Sequence, residues 1–166
     1  MTKIIELTKG FLCLIDEEDF ELVSKWNWTF SGGYARRQNR GKTYSMHRQI
    51  LGLTGSSRPF VDHINGDGLD NRKSNLRVCS QSENQGNQGI PKNNTTGYKG
   101  VGLCNRSSRL PFRAYISVKD KHVNLGRFET IELAVNAYNS AAKSYFREFA
   151  VLNKIRDSKI LIRKSK

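Results

Sequence analysis

Short apolar stretches alternate with longer polar ones along this chain, and the period of each stretch predicts an element. Phe11-Leu12-Cys13-Leu14-Ile15 is an apolar run of strand length. Asp16-Glu17-Glu18-Asp19 then marks a turn or a helix start. Trp26, Trp28 and Phe30 alternate with polar residues, which predicts a strand with one buried face. Core packing is therefore the leading use of the two tryptophans, ahead of base stacking. Gly32-Gly33 allows a tight turn, and Tyr34-Ala35-Arg36-Arg37 restarts a strand. Met46 to Leu53 reads as a short helix with Met46, Ile50 and Leu51 inward. Phe60 to Ile64 reads as a strand, Asn65-Gly66-Asp67-Gly68 as a turn, and Leu76 to Cys79 as the returning strand. Ser80 or Ser82 caps a helix that carries Glu83 and Asn84.

Residues 85–97 are polar and contain glycines and a proline, the composition of a linker. It is either a solvated tether or an extended segment laid along a nucleic-acid groove. Beyond it the period-two pattern is clean. Phe112, Ala114, Ile116 and Val118 share one face, while Arg113, Tyr115, Ser117 and Lys119 share the other. Val123, Leu125 and Phe128 continue the apolar face across a hairpin turned at Asp120-Lys121. Thr130 caps a helix with Glu132 in its first turn. Ala134, Ala137, Tyr138, Ala141 and Tyr145 recur at helical spacing on its inner side. The expected fold is α+β. It has one unit over residues 1–84, a linker over 85–97 and a second unit over 98–153, where a three-stranded antiparallel sheet packs on one helix. A basic tail spans 154–166, with Lys154, Arg156, Lys159, Arg163, Lys164 and Lys166, and orders on meeting phosphates.

Charge sharpens this picture. The 166 residues carry a formal net charge of +13, unevenly spread. Residues 31–61 hold six Lys/Arg and no acid, and residues 98–166 hold fifteen against five. Two basic blocks point to a polyanion, nucleic acid above all, with a merely soluble basic surface as the alternative. Cys13, Cys79 and Cys104 are far apart. No CxxC pair suggests a zinc knuckle, and an odd, dispersed set suits a reducing interior. Met1 to Glu6 has no signal-like apolar region and no window approaches a membrane span, so an intracellular protein without membrane attachment is expected.

The chemistry concentrates in Val61-Asp62-His63-Ile64-Asn65-Gly66-Asp67, Asn75-Leu76-Arg77 and Ser82-Glu83-Asn84. A carboxylate beside an imidazole, with a carboxamide returning on a helix, suits phosphodiester hydrolysis. Magnesium takes oxygen ligands and keeps several waters, so Asp62 and the amide oxygen of Asn84 suffice to hold it. His63 titrates near neutrality and suits a general base. On a strand its ring leaves on the side opposite Asp62, so a twist or bulge is expected there. Asn75 sits where its amide ties the loop together and fixes His63. Read by itself, His63 is more often a structural or surface histidine, and His47 and His122 read as structural or phosphate-contacting.

These residues, with Met46-His47-Arg48 and Asp70-Asn71-Arg72, resemble the HNH endonucleases, in particular the zinc-free homing branch of phages and introns. The resemblance covers roughly residues 46–84 and implies a ββα-metal (His-Me finger) fold. It implies that Asp62 and Asn84 bind one Mg2+ or Mn2+, that His63 is the general base, and that Asn75 holds the loop. The second unit is similar to the APETALA/ethylene-response-factor DNA-binding domain. The similarity lies in Gly97-Tyr98-Lys99-Gly100-Val101, Phe112-Arg113-Ala114-Tyr115-Ile116, Asn124-Leu125-Gly126-Arg127-Phe128 and Ala150-Val151-Leu152-Asn153. It implies a sheet that enters the major groove. Gly102, Cys104 and Asn124 stand where the plant domains keep arginines and tryptophans, so the sequence preference does not carry over.

The expectation is a magnesium-dependent, site-directed DNA endonuclease of the homing type, without structural zinc, acting on double-stranded DNA in the host cytoplasm. Arg36, Arg37, Arg40, Arg48, Arg72 and Arg77 are candidate DNA contacts in the first unit. Lys99, Arg113, Tyr115, Ser117, Lys119 and Asn124 are the candidates in the second. One site per chain suits a nicking monomer, and a dimer would cut both strands. The rivals are a DNA-binding regulator with an inactive HNH unit and a non-specific nuclease.

Overall fold

A computed structural model describes residues 1–53, 58–105, 107–119 and 121–155. The chain divides into two compact units, Met1–Asn87 and Gln88–Lys166. Both mix helices with small sheets.

The first unit opens with a hairpin of β1 (Thr2–Glu6) and β2 (Leu12–Asp16), paired antiparallel. The apolar run of β2 is one-sided. Cys13 and Ile15 are fully buried, whereas Leu12 is 55% exposed. The acidic stretch after it starts a helical turn that leads into α1 (Phe20–Val23). Three strands follow, β3 (Thr29–Ser31), β4 (Tyr34–Asn39) and β5 (Lys42–Ser45), in the order β3-β4-β5. The expected strand through Trp26, Trp28 and Phe30 begins only at Thr29. Trp28 is buried, and its indole N–H needs an acceptor there, which it finds at Val23 O at 2.9 Å outside any ladder. Trp26 is left half-open beneath the Arg37 guanidinium, 4.1 Å from its ring.

The chain continues through α2 (Met46–Ile50), β6 (Phe60–His63), β7 (Leu76–Cys79) and α3 (Gln81–Asn87). β6 and β7 pair antiparallel, Phe60 with Cys79 through to His63 with Leu76. Ser80 and Glu83 form a reciprocal cap on α3. The Ser80 hydroxyl accepts from Glu83 N at 3.3 Å, and Glu83 Oε2 accepts from Ser80 N at 2.8 Å. Ile5, Leu7, Cys13, Ile15, Val23, Trp28, Ala35, Met46, Ile50 and Leu76 form one apolar core under these elements.

In the second unit β8 (Val101–Leu103), β9 (Phe112–Val118) and β10 (Lys121–Phe128) form an antiparallel sheet in the order β10-β9-β8. Ala114 and Ile116 are buried and Arg113 is exposed, as the alternation of β9 requires. The register slips between Asn124 and Gly126. Asp120, the expected turn residue, lies outside the described residues. α4 (Ile131–Phe146) packs on the sheet, with Thr130 Oγ1 accepting from Leu133 N at 3.3 Å. Its buried stripe is Ala134, Val135, Tyr138, Ala142 and Phe146. Tyr145, expected inward, is 49% exposed, because Phe146 one position on fills the end of the core.

The expected linker is shorter than residues 85–97. Gln85, Gly86 and Asn87 complete α3. At the other end Asn94 organises a turn, accepting from Thr96 N and Gly97 N at 3.1 and 2.7 Å and donating to Tyr98 O at 2.8 Å. Gly100 has φ +68°, and a Cβ there would lie 2.1 Å from the Tyr138 ring, so only glycine fits. Asn153 clamps the far end, bonding Lys99 through both its N–H and C=O and exchanging two bonds with Asn139. Of the expected tail only Lys154 and Ile155 are described. Arg156, Lys159, Arg163, Lys164 and Lys166 lie outside the described residues.

Candidate active site

The site grows from the end of β6. Asp62 and His63 are each 5% exposed, a burial that charged or ionisable groups rarely tolerate without partners. Asp62 has two. Arg77, its cross-strand neighbour, donates from Nε to Oδ2 at 2.9 Å, and its Nη2 lies 2.8 Å from the same oxygen in an ion pair. Asn87 donates from Nδ2 to Oδ1 at 2.8 Å and to the His63 carbonyl at 2.7 Å. The last residue of α3 thus closes over both members of the pair.

His63 leaves the strand on the other face. Pairing is regular through His63 and Leu76, so the expected bulge is not there. The ring stands 5.1 Å from His47, nearly perpendicular, and 5.7 Å from Tyr34. Its Nε2 lies 3.3 Å from Asn71 Oδ1. Burial pushes the His63 pKa below the ordinary imidazole value, opposed by the Asn71 hydrogen bond and by the charges of Asp62, Asp67 and Asp70. His47 is pushed down to about 3, first by burial and then by His63, Arg48 and Arg36. Both rings are therefore neutral near pH 7.

The loop between β6 and β7 is held by its own side chains. Asn75 accepts from Asn65 N at 3.0 Å and donates to Asn65 Oδ1 and Asp70 O at 3.0 and 2.8 Å. These bonds tie the loop together, and beside His63 the contact is made through the backbone, where Asn75 O accepts from Ile64 N at 2.9 Å. Asp70 takes a two-pronged bond from Arg72, 2.7 Å on each side, which lowers its pKa. Lys73 ties the loop to the acidic turn through Glu18 and Asp19, at 2.7 and 2.9 Å. Gly68 passes so close to Gly33 O that a Cβ would sit 2.2 Å from it.

The sequence comparisons meet this geometry at the same residues. Residues 59–85 match the family model described as HNH endonuclease. A protein of Acanthamoeba polyphaga mimivirus named as an uncharacterized HNH endonuclease is 30% identical over 152 residues, covering 89% of this chain and 77% of its own length. This chain belongs to the HNH endonuclease family. Protein 3.8 of Escherichia phage T7 is also 30% identical, over 81 residues that cover 49% of this chain and 65% of that protein. No solved structure matches the chain. The protein is accordingly a nuclease, and HNH nucleases generally work with a divalent metal.

Within this HNH nuclease the sequence-derived residues separate into those the fold gathers and those it employs elsewhere. Asp62, His63, Asn75 and Arg77 are gathered. Asn84 stands three residues before Asn87 on α3, hence on the same side of the helix. Arg72 is committed to Asp70. Arg48 is buried and donates to Pro59 O at 2.6 Å, which makes it a strut of the fold rather than an open phosphate contact. Arg37 stacks between Trp26 and Tyr44 and donates to Gln49 at 3.1 Å. Arg36 lies over Tyr34, and Arg40 is exposed at the tip of the β4–β5 hairpin. In the second unit Arg113, Tyr115 and Ser117 follow one face of β9, with Asn124 opposite Tyr115 on β10, whereas Lys119, expected on that face, lies past the strand end in the turn at φ +49° and is exposed. Ser117 Oγ lies 2.9 Å from His122 Nδ1. Lys99 differs: burial lowers its pKa to about 8, and its ammonium bonds the Gln88 carbonyl.

Two members of the cluster were not among the sequence candidates, Asn71 and Asn87. The signal for Asn87 was its i+3 spacing from Asn84, hidden because it fell in a stretch with linker composition. Asn71 stood in the Asp70-Asn71-Arg72 segment of the resemblance, but nothing local assigned it a role, since Cys13 and His63, its side-chain partners, lie in β2 and β6.

Proposed function

We propose that this HNH nuclease is a site-directed endonuclease of the homing type that cuts double-stranded DNA with one Mg2+ or Mn2+ and no structural zinc. The observation that carries the reading is the buried Asp62–His63 pair at a strand end, capped by a helix bearing Asn84 and Asn87. In this reading β6, β7 and α3 are the ββα-metal unit.

The donor set suits a hard cation: a carboxylate from Asp62 and an amide oxygen from Asn84, with no thiolate between them. Asp62 and Asn84 would hold the ion, which supplies charge relief at phosphorus and at the leaving 3′ oxygen. His63, neutral in its buried setting, accepts the proton of the attacking water. Asn75 keeps the loop in place during the step, and Asn87 holds Asp62 and the His63 backbone together. Arg77 balances the Asp62 charge in the free protein and turns to a phosphate when DNA and metal arrive. Arg36, Arg40 and Arg72 flank the path of the backbone. The products carry 5′ phosphate and 3′ hydroxyl.

The second unit is read as the module that selects or anchors the site, in the manner of the APETALA/ethylene-response-factor domains. Arg113, Tyr115, Ser117 and Asn124 form its reading face, and Lys119, in the turn after β9, and Lys99 are further candidate contacts. The net charge of +13 supports a polyanionic substrate. The natural working unit is a monomer that nicks duplex DNA inside the host cell.

One observation favours a second reading. Both Asp62 oxygens already have partners, which is also what a DNA-binding regulator with a silent HNH unit would show. An end-labelled duplex incubated with protein and Mg2+, with and without EDTA, separates the two. Strand cleavage that EDTA abolishes supports the endonuclease. Tight, salt-sensitive binding without cleavage in any divalent metal supports the regulator.

A further inference from the structure

Asn71 is the one fully enclosed polar residue of the site, with 0% exposure, and none of the roles above uses its side chain. Its amide has a determined orientation. The NH2 group faces two acceptors, the Cys13 sulfur at 2.9 Å and the Gly68 carbonyl at 3.5 Å. The opposite orientation would set its oxygen against the Gly68 oxygen. The Oδ1 atom is therefore the one presented to His63, 3.3 Å from Nε2. An amide oxygen only accepts, so the partner nitrogen must carry the proton. That leaves Nδ1 as the basic nitrogen of the neutral ring.

The arrangement is fixed from the far side of the core. Cys13 is fully buried on β2, and its S–H donates to Met46 Sδ at 3.4 Å, which leaves the sulfur lone pairs for the Asn71 amide. Burial raises the Cys13 pKa to about 11, so it stays a thiol and the relay keeps its direction. The backbone reinforces it. Asn71 N donates to Leu14 O at 2.7 Å, and Leu14 N donates to Leu69 O at 2.8 Å. The N-terminal hairpin thus holds the loop that holds the imidazole.

We infer that Asn71 is a positioning residue for His63: anchored by Cys13 of the N-terminal hairpin, it fixes the ring proton on Nε2 and leaves Nδ1 to accept the proton of water. The inference rests on the endonuclease reading for its catalytic consequence, but the tautomer does not. A second-sphere partner that orients a working imidazole commonly carries roughly 10- to 100-fold of activity. Asn71→Asp keeps an acceptor at Nε2, whereas Asn71→Leu removes it at similar volume.

The test is the 15N chemical shifts of the His63 ring in the metal-free, DNA-free full chain, at about pH 8.5 where imidazole is neutral. The wild type and Asn71→Asp should show the proton on Nε2. Asn71→Leu should show a mixed or inverted tautomer. In duplex cleavage, kcat should fall roughly 10- to 100-fold for Asn71→Leu and less for Asn71→Asp, with KM for DNA unchanged. Cys13→Ala, which leaves both site residues intact, should give a mixed tautomer as well, and it covers the case in which Asn71→Leu fails to fold. A wild-type ring protonated on Nδ1, or a tautomer that neither Asn71→Leu nor Cys13→Ala alters, overturns the inference. So does an equal loss of kcat in Asn71→Asp and Asn71→Leu, which marks a purely structural amide. A wild type that holds the Nε2 proton yet never cuts DNA overturns the endonuclease reading and leaves the positioning of His63 intact.

Discussion

The two units handle polar residues in opposite ways. Among the described residues, the buried polar or charged side chains are Asp19, Arg48, Asp62, His63, Asp70, Asn71 and Asn75, and all of them belong to the first unit. The second unit buries an apolar stripe and keeps Arg113, Lys119, Lys121 and Asn124 at its surface. A buried polar group is costly unless it is paired, and pairing fixes its geometry. The first unit thus has what chemistry needs, groups held at set distances. The second has what binding a polyanion needs, solvated cations on a firm sheet.

That contrast can be broken from either side. The largest expected effect lies in the first unit. Arg77→Leu leaves the Asp62 carboxylate without its cation, and losing one partner of a buried pair costs about 3–5 kcal/mol. Urea denaturation should show the loss, and calorimetry should show Mg2+ binding more tightly once the competing guanidinium is gone. A change of less than about 1 kcal/mol would mean that the pair is effectively solvated.

In the second unit the backbone is the sensitive point. Gly100→Ala places a Cβ against the Tyr138 ring at a positive φ, a strain of about 1–3 kcal/mol. The melting temperature should fall, and with it the affinity for duplex DNA. The surface cations should behave differently. Arg113→Ala and Lys119→Ala should leave the fold unchanged, weaken duplex binding, and each reduce the salt slope by about 1. Binding that survives both substitutions would place the contact surface elsewhere.

The smallest effect sharpens the contrast in solvent access. Burial holds the Cys13 and Cys79 thiols up at about 11, while Cys104 is exposed. Alkylation at about pH 8 should label Cys104 and spare the other two. The sign for stability follows. The unfolded thiols ionise first, so stability is intact below about pH 8.5 and declines as pH rises toward 11. Rapid labelling of Cys13 in the native protein would contradict the enclosed relay.

What could be read from the sequence was mostly local. The strand over Phe112–Val118 has the bounds its alternation gives, and Leu76–Cys79 returns beside Phe60–His63 as the intervening turn residues suggest. The Ser80 cap is a four-residue signal and needs no tertiary knowledge. The misses are tertiary. Trp28 left the expected strand to satisfy its indole N–H, and Arg48 was drawn inward to carbonyls. Asn71 meets Cys13 fifty-eight residues away, and no window along the chain contains both. Asn87 was hidden by composition, because Gln, Gly and Asn read as linker even where they complete a helix.

The central claim is that the first unit cuts and the second holds, and His63→Ala tests it most directly. Binding and cleavage of one labelled duplex are followed in Mg2+ for wild type and variant. The account predicts unchanged affinity and a cleavage rate lower by roughly 10²- to 10⁴-fold, the usual contribution of a general base. Equal cleavage by the two proteins, or a loss of binding in step with cleavage, would contradict it.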